Sequence, residues 1–302
     1  MKALANYVMR GRSQAALISS AIAVLSMILP PLSYISGAIV ALVTMRRGIA
    51  EGALIAGIAT GALAIMSFFS TGNMVVALVF AMMVWLPVWI LSIVLRQTVS
   101  LPFTLIVATM LVVVVMIVFH MAVGDTVLWW QGILDKVFAE ALAEPGMGNM
   151  GLMLENVPQF MTALMGTAFF VSMMASILLA RWWQAVLYHP GGFQKEFHAV
   201  RVDKPAAGFG ALILIWAAIG AGSGSIVVDL AIIIGVYASV SGLSLVHHWV
   251  AAKKANKGWL ILMYLLLAFI APQILLVLAI LGFADAWLNI RRFYEKPADE
   301  KT

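Results

Sequence analysis

Cysteine is absent from this chain, which excludes disulfides and thiolate metal sites. Charge is scarce as well. Asp, Glu, Lys and Arg make up 10% of the 302 residues, against roughly 25% in a soluble globular domain. The common catalytic signatures are also missing: there is no H-E-x-x-H, no G-x-S-x-G, no Walker loop and no inward pair of acids at metal spacing. The chain therefore reads as a non-enzyme without cofactor or metal, and any ATPase engine would have to come from another chain. The net charge of +5 does not indicate a nucleic-acid partner, because the basic residues sit in short clusters at the ends of apolar runs.

What fills the sequence is apolar: 64% is hydrophobic and the mean hydropathy is +1.05. Runs of about 18 or more apolar residues recur, each long enough to cross a ~30 Å hydrocarbon core as a helix. Backbone in lipid must satisfy its own hydrogen bonds, which leaves a helical bundle as the default. The expected fold is an all-α polytopic transmembrane bundle of about 8–10 membrane segments, with the lipid bilayer as its first partner.

Pro/Gly breaks and charge clusters place spans at about 13–29, 33–46, 49–70, 74–96, 101–122, 157–187, 205–222 and 225–248. The opening MKALANYVMRGRSQ has basic residues but no small-residue cleavage site before a soluble domain, so it leads into an uncleaved first span. A last apolar block, 259–290, would reach about 48 Å as one helix, and Ala271-Pro272-Gln273 interrupts it. Charge decides between a kinked helix and a hairpin. With the N-terminus in the cytoplasm and a hairpin at the end, every Lys and Arg except Lys136 lies inside. A single span would export Arg291, Arg292, Lys296 and Lys301. Both termini are expected in the cytoplasm.

The chain then divides into a six-span membrane domain, 1–188, a cytoplasmic loop, 189–204, and a C-terminal membrane domain, 205–302, with about two to four further spans. One external segment, 123–156, has Asp125, Asp135, Glu140, Glu144 and Glu155 against the single Lys136. Within it Val127, Trp130, Leu134, Val137 and Ala141 recur at heptad-like spacing. That describes an amphipathic helix on the outer face, returned by the flexible GMGNMG of 146–151.

Small residues recur every four positions at Ala15, Ser19 and Ala23 and again at Ala53, Gly57 and Gly61. Such stripes let helices approach closely. They serve packing inside the bundle or docking of a partner membrane protein. GAGSGS (220–225) lacks the strand a nucleotide loop needs and reads as an external turn. His189, His198 and Glu196 fit no metal spacing, and His247-His248 reads as interfacial. Asp285, six residues before Arg291-Arg292, is expected to pair locally.

Two ionisable residues lie within spans away from a cytoplasmic end: His120, near the outer end of the fifth span, and Asp229, about 6 Å inside the outer end of the eighth. Groups at such depth face a cavity or a partner, or else reach the headgroup zone. Their shared level allows a His–Asp contact. Trp129 and Trp130, just beyond, suit an interfacial belt or the capping of a cavity.

ILPPLSYISGAIVAL, MRRGIAEGALIAGIATG, RWWQAVLYHPGGFQKEF and GFADAWLNIRRF, in that order, resemble the YybS-like bacterial inner-membrane proteins over nearly the whole chain. The first six spans of that family look like the substrate-binding S-components of energy-coupling-factor transporters. The resemblance implies a bacterial inner-membrane location, a cargo cavity near the outer face and an alanine-rich first helix that docks on a membrane coupling subunit. Here Ala15, Ser19 and Ala23 are the candidate docking stripe. Lid elements fall at 30–37, with Pro30, Pro31, Tyr34 and Ser36, and at 123–156. Tyr34, His120, Trp129, Trp130 and Asp229 are the candidate substrate-binding residues. The spans after 205 have no counterpart in the six-span pattern. The alternative expectation is a non-transporting scaffold or assembly factor that recruits a cytoplasmic protein partner through 181–204 and 249–257.

Overall fold

The computed structural model describes residues 1–142 and 156–293. It is 85% helical and, among the described residues, contains no strand. The helices are α1 (Lys2–Val8), α2 (Arg12–Leu25), α3 (Leu32–Arg47), α4 (Ile49–Thr71) and α5 (Val75–Thr98). They continue with α6 (Leu101–Val123), α7 (Thr126–Leu142), α8 (Pro158–Tyr188), α9 (Gly192–His198) and α10 (Lys204–Ile219). The last are α11 (Ile226–Ala252), α12 (Gly258–Phe269) and α13 (Ala271–Leu288), followed by a 3₁₀ turn at Ile290–Phe293. Six of these, α4, α5, α6, α8, α11 and α13, are long and apolar enough to cross a membrane. The chain is a multi-pass helical membrane protein.

Contacts group the chain into two compact units, Met1–Leu111 with Ala168–Phe197, and Val112–Thr167 with His198–Thr302. The units do not follow chain order, whereas the sequence reading separates domains at 189–204. The long helices α6 and α8 each contribute one half to each unit.

The first unit is organised around α3, whose residues from Ser36 to Met45 are all buried. A helix that is apolar on every side belongs at the centre of a bundle, and α2, α4 and α5 surround it. Ala15, Ser19 and Ala23 are at most 1% exposed. They pack α2 against its neighbours and leave no stripe for an outside partner, which corrects the docking expectation. Their small side chains bring the backbones close enough for Ser36 Oγ to donate to the Ser19 carbonyl at 2.9 Å. Trp85 Nε1 donates to the same Ser36 hydroxyl at 3.1 Å. Trp85 closes a π-helical turn, Ala81–Trp85, inside α5. Pro87 follows two residues later and cannot donate to the turn before it. At the other end of α3, Arg96 donates to the Thr44 and Met45 carbonyls at 3.0 Å, capping the helix. The Arg46 guanidinium stacks 3.7 Å over the Tyr188 ring. The Ala53, Gly57 and Gly61 stripe on α4 faces outward, and nothing lies within 4 Å of where Cβ atoms on Gly57 and Gly61 would stand.

In the second unit α11 and α13 make the tightest pairing. A methyl group on Gly242 would stand 1.9 Å from the Leu278 carbonyl oxygen, and one on Gly282 would stand 2.1 Å from that of Ala238. The final apolar block is two helices broken at Ile270 (φ −135°, ψ 50°) just before Pro272. Trp259, at its start, lies against Trp249 of α11, and Arg291, just past its end, reaches Ser244 of the same helix. The block thus starts and finishes at one end of α11, as a hairpin does.

On α7 the packed face carries Trp130, Ile133, Leu134 and Phe138, while Val137 is 68% exposed. This corrects the heptad expectation. Seven residues leave Val137 within about 20° of Trp130 on the helix wheel, so its exposure follows from which part of α7 the neighbouring helices cover and not from the periodicity. The side chain of Ala141 and the return at 143–155 lie outside the described residues.

Candidate functional site

One end of the second unit holds the pair of ionisable groups that the sequence places within spans. His120, in the last turn of α6, and Asp229, in the first turn of α11, meet with Nε2 and Oδ2 2.8 Å apart. Their side chains are 14% and 1% exposed. Local rules explain both positions. Ser225 is the N-cap of α11, and an acid in the first turn is favoured by the exposed N–H groups and the helix dipole. His120 lies at the opposite pole of its own helix, where a cation is favoured.

Above the pair opens a cleft of about 510 Å³ lined by His120, the 124–127 turn and the 222–225 loop. GAGSGS, which reads as a plain turn in sequence, is therefore one wall of this cleft. Two buried oxygens beside it, Asp229 Oδ1 and Ser225 Oγ, have no hydrogen-bond partner among the described residues. The Ala163 amide bears on the Asp229 carboxylate without reaching hydrogen-bonding geometry with Oδ1. Ser225 and Asp229 are four residues apart and so share a helical face. That spacing was the available sequence signal for Ser225, and a reading of the loop as mere connection overlooks it. Asp125, across the cleft, accepts from the Leu128 amide at 3.0 Å and caps α7.

The tryptophans take another role than lining this cleft. Trp130 Nε1 donates to Thr162 Oγ1 at 3.0 Å. Trp129 packs edge-on against Trp130 and Phe119, with centroids 4.7 and 5.2 Å apart. Together they pin α7 to α6 and α8, and so hold one wall of the cleft in place. Tyr34 belongs to the first unit, half-buried at the start of α3.

A second polar cluster lies at the other end of α11. Asp285, fully buried, accepts from Arg291 Nε at 2.8 Å, with Arg201 Nε at 3.7 Å. Arg291 also donates to the Val200 carbonyl at 2.6 Å and to that of His198. Arg201 donates to Asn289 Oδ1 at 2.8 Å and to the Asp285 carbonyl at 2.6 Å. The local pairing expected for Asp285 is present, but its second arginine is Arg201 rather than Arg292. Burial, with His248, His247 and Arg291 nearby, pushes the His198 imidazole down to about 4. This cluster ties the 198–204 segment to the end of α13 and has the character of a clamp. Among the described residues no group of three or more His, Asp or Glu is placed to hold a metal ion.

Fold and site together define a multi-pass helical membrane protein with a polar cleft at one end of its second unit. Comparison with protein-family models, with curated proteins and with solved structures gives no match.

Proposed function

We propose that the chain is a non-catalytic binding subunit of a bacterial inner membrane that takes a small polar solute into the cleft above His120 and Asp229. The observation carrying this reading is the His120–Asp229 pair at 2.8 Å beneath an open cleft of about 510 Å³. Burying a carboxylate at membrane depth is costly and marks functional positions in membrane proteins. The cleft has the volume of an ordinary small-molecule site, roughly 300–1,000 Å³. The resemblance to S-components supports the same end of the molecule as the cargo end. A coupling subunit, where one is used, docks on a surface other than the buried stripe of α2.

The scaffold reading has less support, because both arginines of 181–204 are engaged within the chain. Arg181 pairs with Glu196, and Arg201 with Asp285 and Asn289.

The test uses the full chain in lipid nanodiscs, screened by thermal shift and tryptophan fluorescence against small amines, carboxylates, amino acids and sugars. One class is expected to raise the Tm of the native protein and to leave Asp229→Asn and His120→Ala unchanged. A panel in which no solute separates the native protein from both variants would sink the reading.

A further inference from the structure

We infer that the cleft takes a small organic ammonium ion and exchanges it for a proton held by the His120–Asp229 pair. This rests on the cleft being a binding site and adds the chemical class of its ligand and its coupling.

The reasoning starts from charge. With a neutral imidazole donating Nε2–H, the pair carries one net negative charge. That charge is almost wholly out of water, and Asp229 Oδ1 has no partner to share it. A buried charge held only by one imidazole N–H and the start of a helix is still expensive, and a bound proton removes it. With the cleft empty, one proton on the pair removes that charge. A cation seated in the cleft neutralises the same carboxylate from outside, so cation and proton compete for one charge.

The lining decides the sign of the ligand. Among the described residues, His120 on α6 and Asp125 on the α6–α7 turn are the titratable groups lining the cleft, and Asp229 on α11 stands behind His120 at 2.8 Å. The facing stretch of α8, Pro158–Thr167, carries none, and neither does the Thr126–Trp130 start of α7. Among the described residues no lysine or arginine lines the cleft. The N-termini of α7 and α11 already have Asp125 and Asp229 as their acids. What the cleft offers a ligand is thus acceptors: the Asp125 carboxylate, the hydroxyls of Ser223 and Ser225, and loop carbonyls, with the Asp229 carboxylate just behind His120. An ammonium group donates hydrogen bonds to the lining acceptors and faces the Asp229 charge across His120. His120, the more exposed partner of the pair, lines the cleft and gives the displaced proton a route out. The exchange balances: one ammonium enters, one proton leaves to the outer medium, and no bond other than that to the proton is broken.

The experiment follows protons directly. Full-length protein in nanodiscs, in weak buffer with a pH indicator, receives methylammonium chloride, acetamide, sodium acetate or sodium chloride at matched ionic strength. Methylammonium is expected to release about one proton per protein, and the other three none above the salt baseline. In native protein its apparent Kd should rise about tenfold per pH unit on the acid side of the titration, the slope of a one-for-one exchange. Asp229→Asn should release none, and Asp125→Asn should bind several-fold more weakly while still releasing the proton. Equal release on sodium chloride, or a pH-independent Kd, overturns the exchange. Should Asp229→Asn fail to fold, the slope in native protein and the Asp125→Asn result still decide. A tryptophan response to methylammonium without proton release removes the exchange and leaves the binding reading standing. A response to acetate alone removes the ammonium class and leaves only the cleft.

Discussion

At the scale of single residues, what matters is who partners a buried polar atom. Asp285→Ala would leave Arg291 buried without its carboxylate. Breaking such a pair costs about 3–5 kcal/mol, and the remaining carbonyl acceptors place this site near the lower figure. A fall of that size in equilibrium unfolding in mixed micelles is expected, with a smaller one for Asp285→Asn. Ser36→Ala strands the indole N–H of fully buried Trp85 and should cost about 1–3 kcal/mol in the same assay. His198 adds a pH dependence. Its folded pKa of about 4 lies below the unfolded value of 6.5, so the unfolded chain binds more protons between them. Stability is complete above about 6.5 and declines as pH falls toward 4, and His198→Gln should flatten that slope. At this scale the sequence reads well for depth and poorly for partners. His120 and Asp229 stand out because each is an ionisable group in an apolar run, and counting along helices puts them at one level. Trp129 and Trp130 stand out equally, yet nothing in spacing tells that Thr162 and Phe119 would claim them. Arg201 as a partner of Asp285 is 84 residues away, beyond any local pattern.

Among elements, hydrophobic length and breakers carry most of the information, and facing carries the rest. The breaks before Pro272 and at Pro30-Pro31 are visible in the residues themselves, and the helices end beside them. Which side of a helix turns inward is harder to read when every side is apolar. Two small-residue stripes look alike in sequence, yet that of α2 is buried and that of α4 is open. Glycine substitutions expose the difference. Gly242→Ala and Gly282→Ala drive a methyl into the facing backbone of α13 or α11 and should cost about 1–3 kcal/mol or more, as overpacking does. Gly57→Ala meets open space and should leave stability unchanged or raise it by up to about 1 kcal/mol, through helix propensity. Parallel unfolding curves of the three variants check this.

For the whole molecule, the absence of cysteine becomes useful, since any introduced thiol is unique. Ser223→Cys is expected to label with a membrane-impermeant maleimide from outside intact cells. Lys257→Cys and Phe293→Cys should label only after the cells are opened, because α12 and α13 return to the side they left. External labelling at 293 would refute the hairpin. The division into two interleaved units is not legible in the sequence. Neither α6 near residue 111 nor α8 near residue 167 shows a change of composition, because one apolar helix can serve two bundles without altering its pattern.

The meeting of His120 and Asp229 also has a history in time. The two are 109 residues apart, so at about 5–20 residues per second of synthesis the histidine enters the bilayer several seconds before its acid exists. Its place in the last turn of α6 lets it wait at the lipid–water boundary rather than in the hydrocarbon. The end of the protein that carries the cleft is therefore assembled late, when α11 arrives, and a ribosome stalled before residue 229 would leave an inserted chain without the His120–Asp229 pair.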